Sequence, residues 1–176
     1  MASLIIPKTY VEQINKPVIF LAGPIKGASN WQDKAILYLI SKDPDVILVS
    51  PRRGIRDEIA PYIIKGNETH FQRQRMWERY YLECASKKGA IMFWFPGEIE
   101  HDCNKSYGAM TRFESGMILG WYKYDKSIEF CLGSDGKFSE LDTMLVDFKL
   151  DAPEKRVFPT LEQTCDEALR IAYAPV

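Results

Sequence analysis

Apolar residues fall along this chain in short runs separated by longer stretches of mixed polarity. Five runs read as strands: Val18–Ala22, Val46–Ser50, Ala90–Phe95, Ile128–Leu132 and Arg156–Phe158. The first three are nearly continuous apolar runs, the pattern of strands covered on both faces. Between them the spacing is helical. Trp31, Ala35 and Leu39 recur one turn apart, and Leu37 and Ile40 widen the stripe. Phe71, Trp77, Tyr81, Cys84 and Ala85 line a long helix from about Glu68 to Lys87. Phe113, Met117, Trp121 and Tyr124 mark a third helix, and Phe138, Leu141 and Leu145 suggest a short one after the turn Gly133–Gly136. Near the end, Thr160 and Gln163 resemble a capping box ahead of Leu161, Cys165, Ala168, Leu169 and Ala172.

Strands that alternate with helices imply a mainly parallel sheet with helices on both faces. The pattern predicts an α/β three-layer sandwich of the flavodoxin kind with a five-stranded sheet. There is no internal repeat or low-complexity tract, so residues 1–176 form a single domain. The first 15 residues read as a candidate arm that packs on a neighbour.

Composition narrows the function classes. Hydrophobic residues at 46% and charged residues at 27% are ordinary for a soluble globular chain. A formal net charge of -1 gives no reason to expect nucleic acid or another polyanion as partner. No stretch approaches the length of a membrane span, and the N-terminus lacks the apolar core of a signal peptide. Cys84, Cys103, Cys131 and Cys165 form no CxxC pair and, with only His70 and His101 to help, show no metal-ligand spacing. These features read as a cytoplasmic chain with free thiols and no metal.

In an open parallel sheet, ligands bind beyond the carboxyl ends of the strands, so the residues after each strand carry the candidate chemistry. After the first strand come Gly23, Pro24 and Gly27, then Trp31. The glycines let backbone approach a ligand, although the spacing is neither GxGxxG nor a P-loop. After the second come Arg52 and Arg53, whose planar forks suit a base edge or a phosphate, or a surface pairing with Asp57 or Glu58. Glu78 lies beside Trp77 on the long helix; neighbours there diverge by about 100°, so a core Trp77 puts Glu78 at the edge of the stripe, towards the crevice. After the third strand a long polar loop carries Glu98, His101, Asp102 and Asn104, and loops of this length are often functional. It leads to Arg112-Phe113-Glu114-Ser115-Gly116, which places Glu114 in the first turn of a helix. There the helix dipole and exposed donors would keep its carboxylate ionised, ready to act as a nucleophile.

In this order and spacing, the chain resembles the nucleoside 2-deoxyribosyltransferase family. The resemblance rests on Phe20-Leu21-Ala22-Gly23-Pro24 with Trp31, Ser50-Pro51-Arg52-Arg53, Trp77-Glu78, Phe93-Trp94-Phe95 and Arg112-Phe113-Glu114-Ser115-Gly116. It covers roughly Val18 to Trp121. It implies that Glu114 attacks C1′ of a 2′-deoxynucleoside, expels the base and holds the sugar as an ester until a second base takes it. Glu78, Asp102 or Asn104 would support the leaving base, Arg52 or Arg53 would read its edge, and Gly23, Pro24 and Trp31 would line the pocket. The resemblance implies 2′-deoxynucleosides and free nucleobases as substrates, no cofactor, and a homo-oligomer. Where family members often carry a tyrosine in the first strand that positions the glutamate, this chain has Phe20.

Two other readings use the same residues. A nucleoside or nucleoside 5′-monophosphate N-glycoside hydrolase would let water take the sugar, and Gly27, Ser29 and Ser106 could then serve a phosphate. A non-catalytic nucleotide-binding module would share the fold and lack the chemistry.

Overall fold

The computed structural model of the chain describes residues 3–7, 9–11, 13–52 and 70–174, the last segment with side chains from residue 73 onwards. Among these residues lie six strands, β1 (Ser3–Ile5), β2 (Val18–Ala22), β3 (Ile47–Val49), β4 (Gly89–Phe95), β5 (Phe130–Ser134) and β6 (Val157–Phe158). Five helices join them: α1 (Trp31–Lys42), α2 (His70–Lys88), α3 (Ala109–Tyr124), α4 (Leu141–Asp151) and α5 (Leu161–Ala172). The strands pair in parallel in the order β1-β3-β2-β4-β5-β6.

Alternation along the strands divides the core in two. Phe20, Ile91, Phe93, Phe95, Phe130 and Leu132 face one side, where they pack with Trp77 and Tyr81 of α2, Ile118 and Leu119 of α3 and Phe148 of α4. Ile19, Leu21, Leu48, Met92 and Trp94 face the other, against Trp31 and Leu39 of α1 and Cys165 and Ala168 of α5. The result is the expected three-layer sandwich. Each large side chain buried in this way contributes roughly 1.5–3 kcal/mol.

The sheet holds one strand more than the five expected. Ser3–Ile5 adds to the edge beside β3, with Leu4 opposite Leu48. Three residues are too few to show a period, which is why this strand is silent in the sequence. Within the segment read as a candidate arm, Ser3–Ile5 thus pairs with the chain's own sheet. Thr9 continues the contact, its carbonyl accepting from Trp77 Nε1 at 2.8 Å and from the Tyr81 hydroxyl at 3.1 Å.

Two helix faces differ from expectation. In α1 it is Ile36, not Leu37, that turns inward, and Leu37 stands 70% exposed. In α3 the buried face is Thr111, Glu114, Ser115, Ile118, Leu119 and Tyr122. The apolar stripe that marked this helix includes two solvent-facing rings, Phe113 and Tyr124. The buried face is polar in its first turns, so hydrophobicity alone picks the wrong phase. Among the described residues no helix is long and apolar enough to cross a membrane.

Candidate functional site

From β2 the chain moves to β3 on one side, then crosses back to β4 on the other. In sheets of this kind such a reversal marks the usual ligand position, at the carboxyl ends of β2 and β4. Two loops border it, residues 23–30 after β2 and residues 96–108 after β4. Ile99 and Glu100 donate their amides to the Gly27 carbonyl at 2.8 and 3.2 Å, joining the two loops. Gly27 adopts φ 77°, and a Cβ there would stand 2.9 Å from the Glu100 carbonyl oxygen.

Between α2 and α3, on the face that carries Phe20 and Phe93, two carboxylates meet one guanidinium. Arg75 Nη1 donates to Glu114 Oε1 at 2.6 Å and also to Glu78 Oε2. Gln74 Nε2 holds the remaining Glu78 oxygen at 3.0 Å. Glu78 and Glu114 are both buried, at 9% and 7% exposure. Local helix geometry prepares this arrangement: Gln74 and Arg75 precede Glu78 by four and three residues, the spacings that bring side chains together on one helix face.

Glu114 does not stand in the first turn. Its helix begins earlier, at Gly108, whose φ of 65° turns the chain into α3. A Cβ at Gly108 would lie 2.7 Å from the Phe138 ring. Arg112 fixes this start, donating to the Tyr107 carbonyl and, at 2.8 Å, to both the carbonyl and hydroxyl of Ser139. Its guanidinium also stacks 4.5 Å from the Phe138 ring. One turn further in, Glu114 is too deep for the free amides of the helix end to reach it.

The electrostatics follow from that depth. Burial pushes the Glu114 carboxyl up to about 7; the hydrogen bond from Arg75 opposes this, and the charge on Glu78 adds to it. The expectation of a carboxylate kept ionised by the helix end is therefore corrected. Glu114 instead titrates near neutrality. Burial works against the charge on Arg75, yet Glu114 and Glu78 overcome it and hold the guanidinium above the usual arginine value.

Gly23, Pro24, Trp31 and Arg52 form a second group around the β2 loop. Gly23 is a close-approach position: a Cβ there would stand 2.6 Å from Trp31 Cζ2 and nearer still to the Trp94 carbonyl oxygen. Trp31 is fully buried and donates its indole N–H to the Pro24 carbonyl at 2.9 Å, so it shapes the loop from beneath. Buried Gln32 reaches the same carbonyl at 3.3 Å and accepts from Arg52 Nη1 at 3.3 Å. Arg53 lies outside the described residues. Asp102 and Asn104 are exposed; the Asp102 carboxylate accepts the Asn104 amide at 3.0 Å and pairs with Lys105 at 3.2 Å, bonds that stay within their own turn. Those two partners, the Asn104 amide first, hold Asp102 below the usual carboxylate range.

Sequence reasoning singled out none of Arg75, Gln74 and Gln32 as site residues. The three- and four-residue steps to Glu78 were the available signal for Arg75 and Gln74. Gln32 carried none, being a polar residue beside Trp31 in a helix whose apolar positions drew the eye.

A cleft of about 440 Å³ lies elsewhere, at the β6 edge, lined by residues that include Arg156, Phe158, Gln163, Glu167 and Arg170. Its Arg170 is spent on Glu167, in a two-pronged pair at 2.7 and 2.8 Å, and exposed pairs of this kind are common on surfaces. The buried carboxylates between α2 and α3 are the stronger candidate for chemistry. No protein-family model, curated protein or solved structure matches the chain.

Proposed function

We propose that the chain transfers 2-deoxyribose between nucleobases by double displacement, with Glu114 as nucleophile and Glu78 as acid and base. The observation that carries this reading is the shared Arg75 nitrogen. Two oxygens bonded to one donor lie within about 6 Å of each other, twice a hydrogen-bond length. Glycoside-cleaving enzymes that retain configuration keep their carboxyls about 5–5.5 Å apart, while those that invert need roughly 6.5–9.5 Å to admit a water. The close pair thus supports a covalent route.

In the first step a Glu114 oxygen bonds to C1′ as the C1′–N bond breaks. The electron pair leaves with the base, which takes the one proton of the Glu114–Glu78 pair, passed to Glu78 as Glu114 ionises to attack. In the second, a nitrogen of the incoming base bonds to C1′, the ester bond breaks, Glu114 regains its charge, and the proton of the incoming base passes to Glu78. Of the groups considered for the proton, Asp102 is the least suited, since its partners hold it ionised. The developing positive charge on the sugar favours the ionised form of Glu114, and burial strips that carboxylate of water. Arg52, which follows β3 and donates to Gln32 beside the β2 loop, is the group that would read a base edge in this mechanism. The resemblance described above supports the same substrates, 2′-deoxynucleosides and free nucleobases, and a homo-oligomeric assembly. The chemistry calls for no cofactor.

The test is base exchange followed by chromatography, with a panel of 2′-deoxynucleosides, with and without an acceptor base. New deoxynucleoside that forms only with acceptor, and is lost in Glu114→Ala, is the expected result. Free base released at the same rate with or without acceptor would make the chain a hydrolase. Binding without turnover would make it a binding module.

A further inference from the structure

Arg75 uses a single nitrogen where arginine usually offers a fork. A guanidinium beside one carboxylate tends to bind it with two parallel N–H groups. Here Nη1 alone is divided between Glu114 on α3 and Glu78 on α2. The grip on Glu114 engages Oε1 only, and Oε2 accepts no hydrogen bond among the described residues. The sheet face that carries both helices presents Phe20, Phe93 and Phe95, rings without a polar donor. Orientation of the Glu114 carboxyl therefore falls to α2.

Building on the deoxyribosyl-transfer reading, we propose that Arg75 is a positioning residue: it locks the Glu114 carboxyl through Oε1, leaves Oε2 as the attacking atom, and holds Glu78 at proton-transfer range. The charged groups around Glu114 fit this division of labour. From α2 they are Arg75 and Glu78, the two that act on its ionisation. On its own helix Arg112 turns away to Tyr107 and Ser139. From α4, Asp151 meets α3 only at the far end, where it pairs with Lys123 at 3.2 Å. Arg75 is thus the one cation acting on Glu114 among the described residues, and it favours the ionised form that attacks.

The experiment compares the wild-type chain with Arg75→Met, Arg75→Gln and Arg75→Lys. Carbon-13 NMR of glutamate-labelled protein follows the Glu114 carboxyl, assigned with Glu114→Gln, while base exchange is measured across pH. The Glu114 midpoint should move up in Arg75→Met and return towards the wild-type value in Arg75→Lys. The acid limb of kcat should move with it, and kcat at neutral pH should fall about 10²-fold with little change in KM. Arg75→Gln removes the cation and keeps an N–H donor, so it carries the test should Arg75→Met fail to fold. A midpoint that stays in place in a folded variant without the cation, Arg75→Met or Arg75→Gln, overturns the proposal, as does a rise in KM at constant kcat, which would make Arg75 a substrate contact. The titration needs no substrate. A shifted midpoint in a chain that exchanges no base would therefore sink the transferase reading while leaving the Arg75–Glu114 coupling in place.

Discussion

Arg75 and Glu114 meet at 2.6 Å although 39 residues separate them in the chain. The contact joins the second turns of two helices and crosses from one to the other above an aromatic sheet face. It sets a cation against a buried acid that titrates near neutral pH. An acid in that state leaves marks on stability as well as on rate.

The first mark is a pH dependence of folding. Glu114 moves from an ordinary 4.5 to about 7 on folding, so the native chain holds this proton more tightly than the unfolded one. Its contribution is fully present below about pH 4.5 and is lost as pH rises through 7. The amount is about 3 kcal/mol. Glu114→Gln removes this dependence. Urea unfolding at intervals from pH 5 to 8 should show the variant gaining on wild type as pH rises, and parallel curves would contradict the assignment.

Glu78 should matter most when the leaving base most needs a proton. Replacing it by Gln keeps the hydrogen bond to Arg75 and removes the acid. Transfer from an ordinary deoxynucleoside should slow by about 10²–10⁴-fold. A substrate whose base leaves readily as an anion should lose far less. Equal losses for both substrates in steady-state assays would take the acid role away from Glu78.

Gly23 tests the close packing under the β2 loop. An added methyl group would press on the Trp94 carbonyl and the Trp31 ring, both held in the core. Gly23→Ala should lower stability by about 1–3 kcal/mol, the cost typical of overpacking. Chemical denaturation reads this directly, and a change below the error of the method would mean the backbone yields there.

Arg112 is expected to secure the start of α3. Arg112→Met keeps an apolar stem near Phe138 but loses the bonds to Tyr107 and Ser139. Stability should fall by about 1–3 kcal/mol, and amides of the first turn of α3 should exchange faster. Unchanged exchange at Ala109–Arg112 would show that Gly108 alone sets the helix start.

Much of the fold was legible because strands buried on both faces write themselves as apolar runs, as Val18–Ala22 does in full. The layers followed from the alternation of runs and stripes. What escaped was what leaves no period. β1 is too short, and β5 begins at Phe130 although Ile128 starts the run. The face of α3 escaped for a different reason. Glu114, Thr111 and Ser115 are polar residues turned inward, and a hydrophobic reading assigns such residues outward. Glu114 and Glu78 could be singled out as candidates, but the bond between their helices could not. Arg75 on α2 reaches Glu114 through tertiary packing, and no local rule connects positions so far apart.

The Gly27 carbonyl, bonded to Ile99 and Glu100, makes the two crevice loops a single unit of variation. A substitution that reshapes the loop after β2 also displaces the loop after β4. An attempt to graft one loop from another protein would then carry a mismatch at this joint. Redesign of this region works better with residues 23–30 and 96–108 exchanged together.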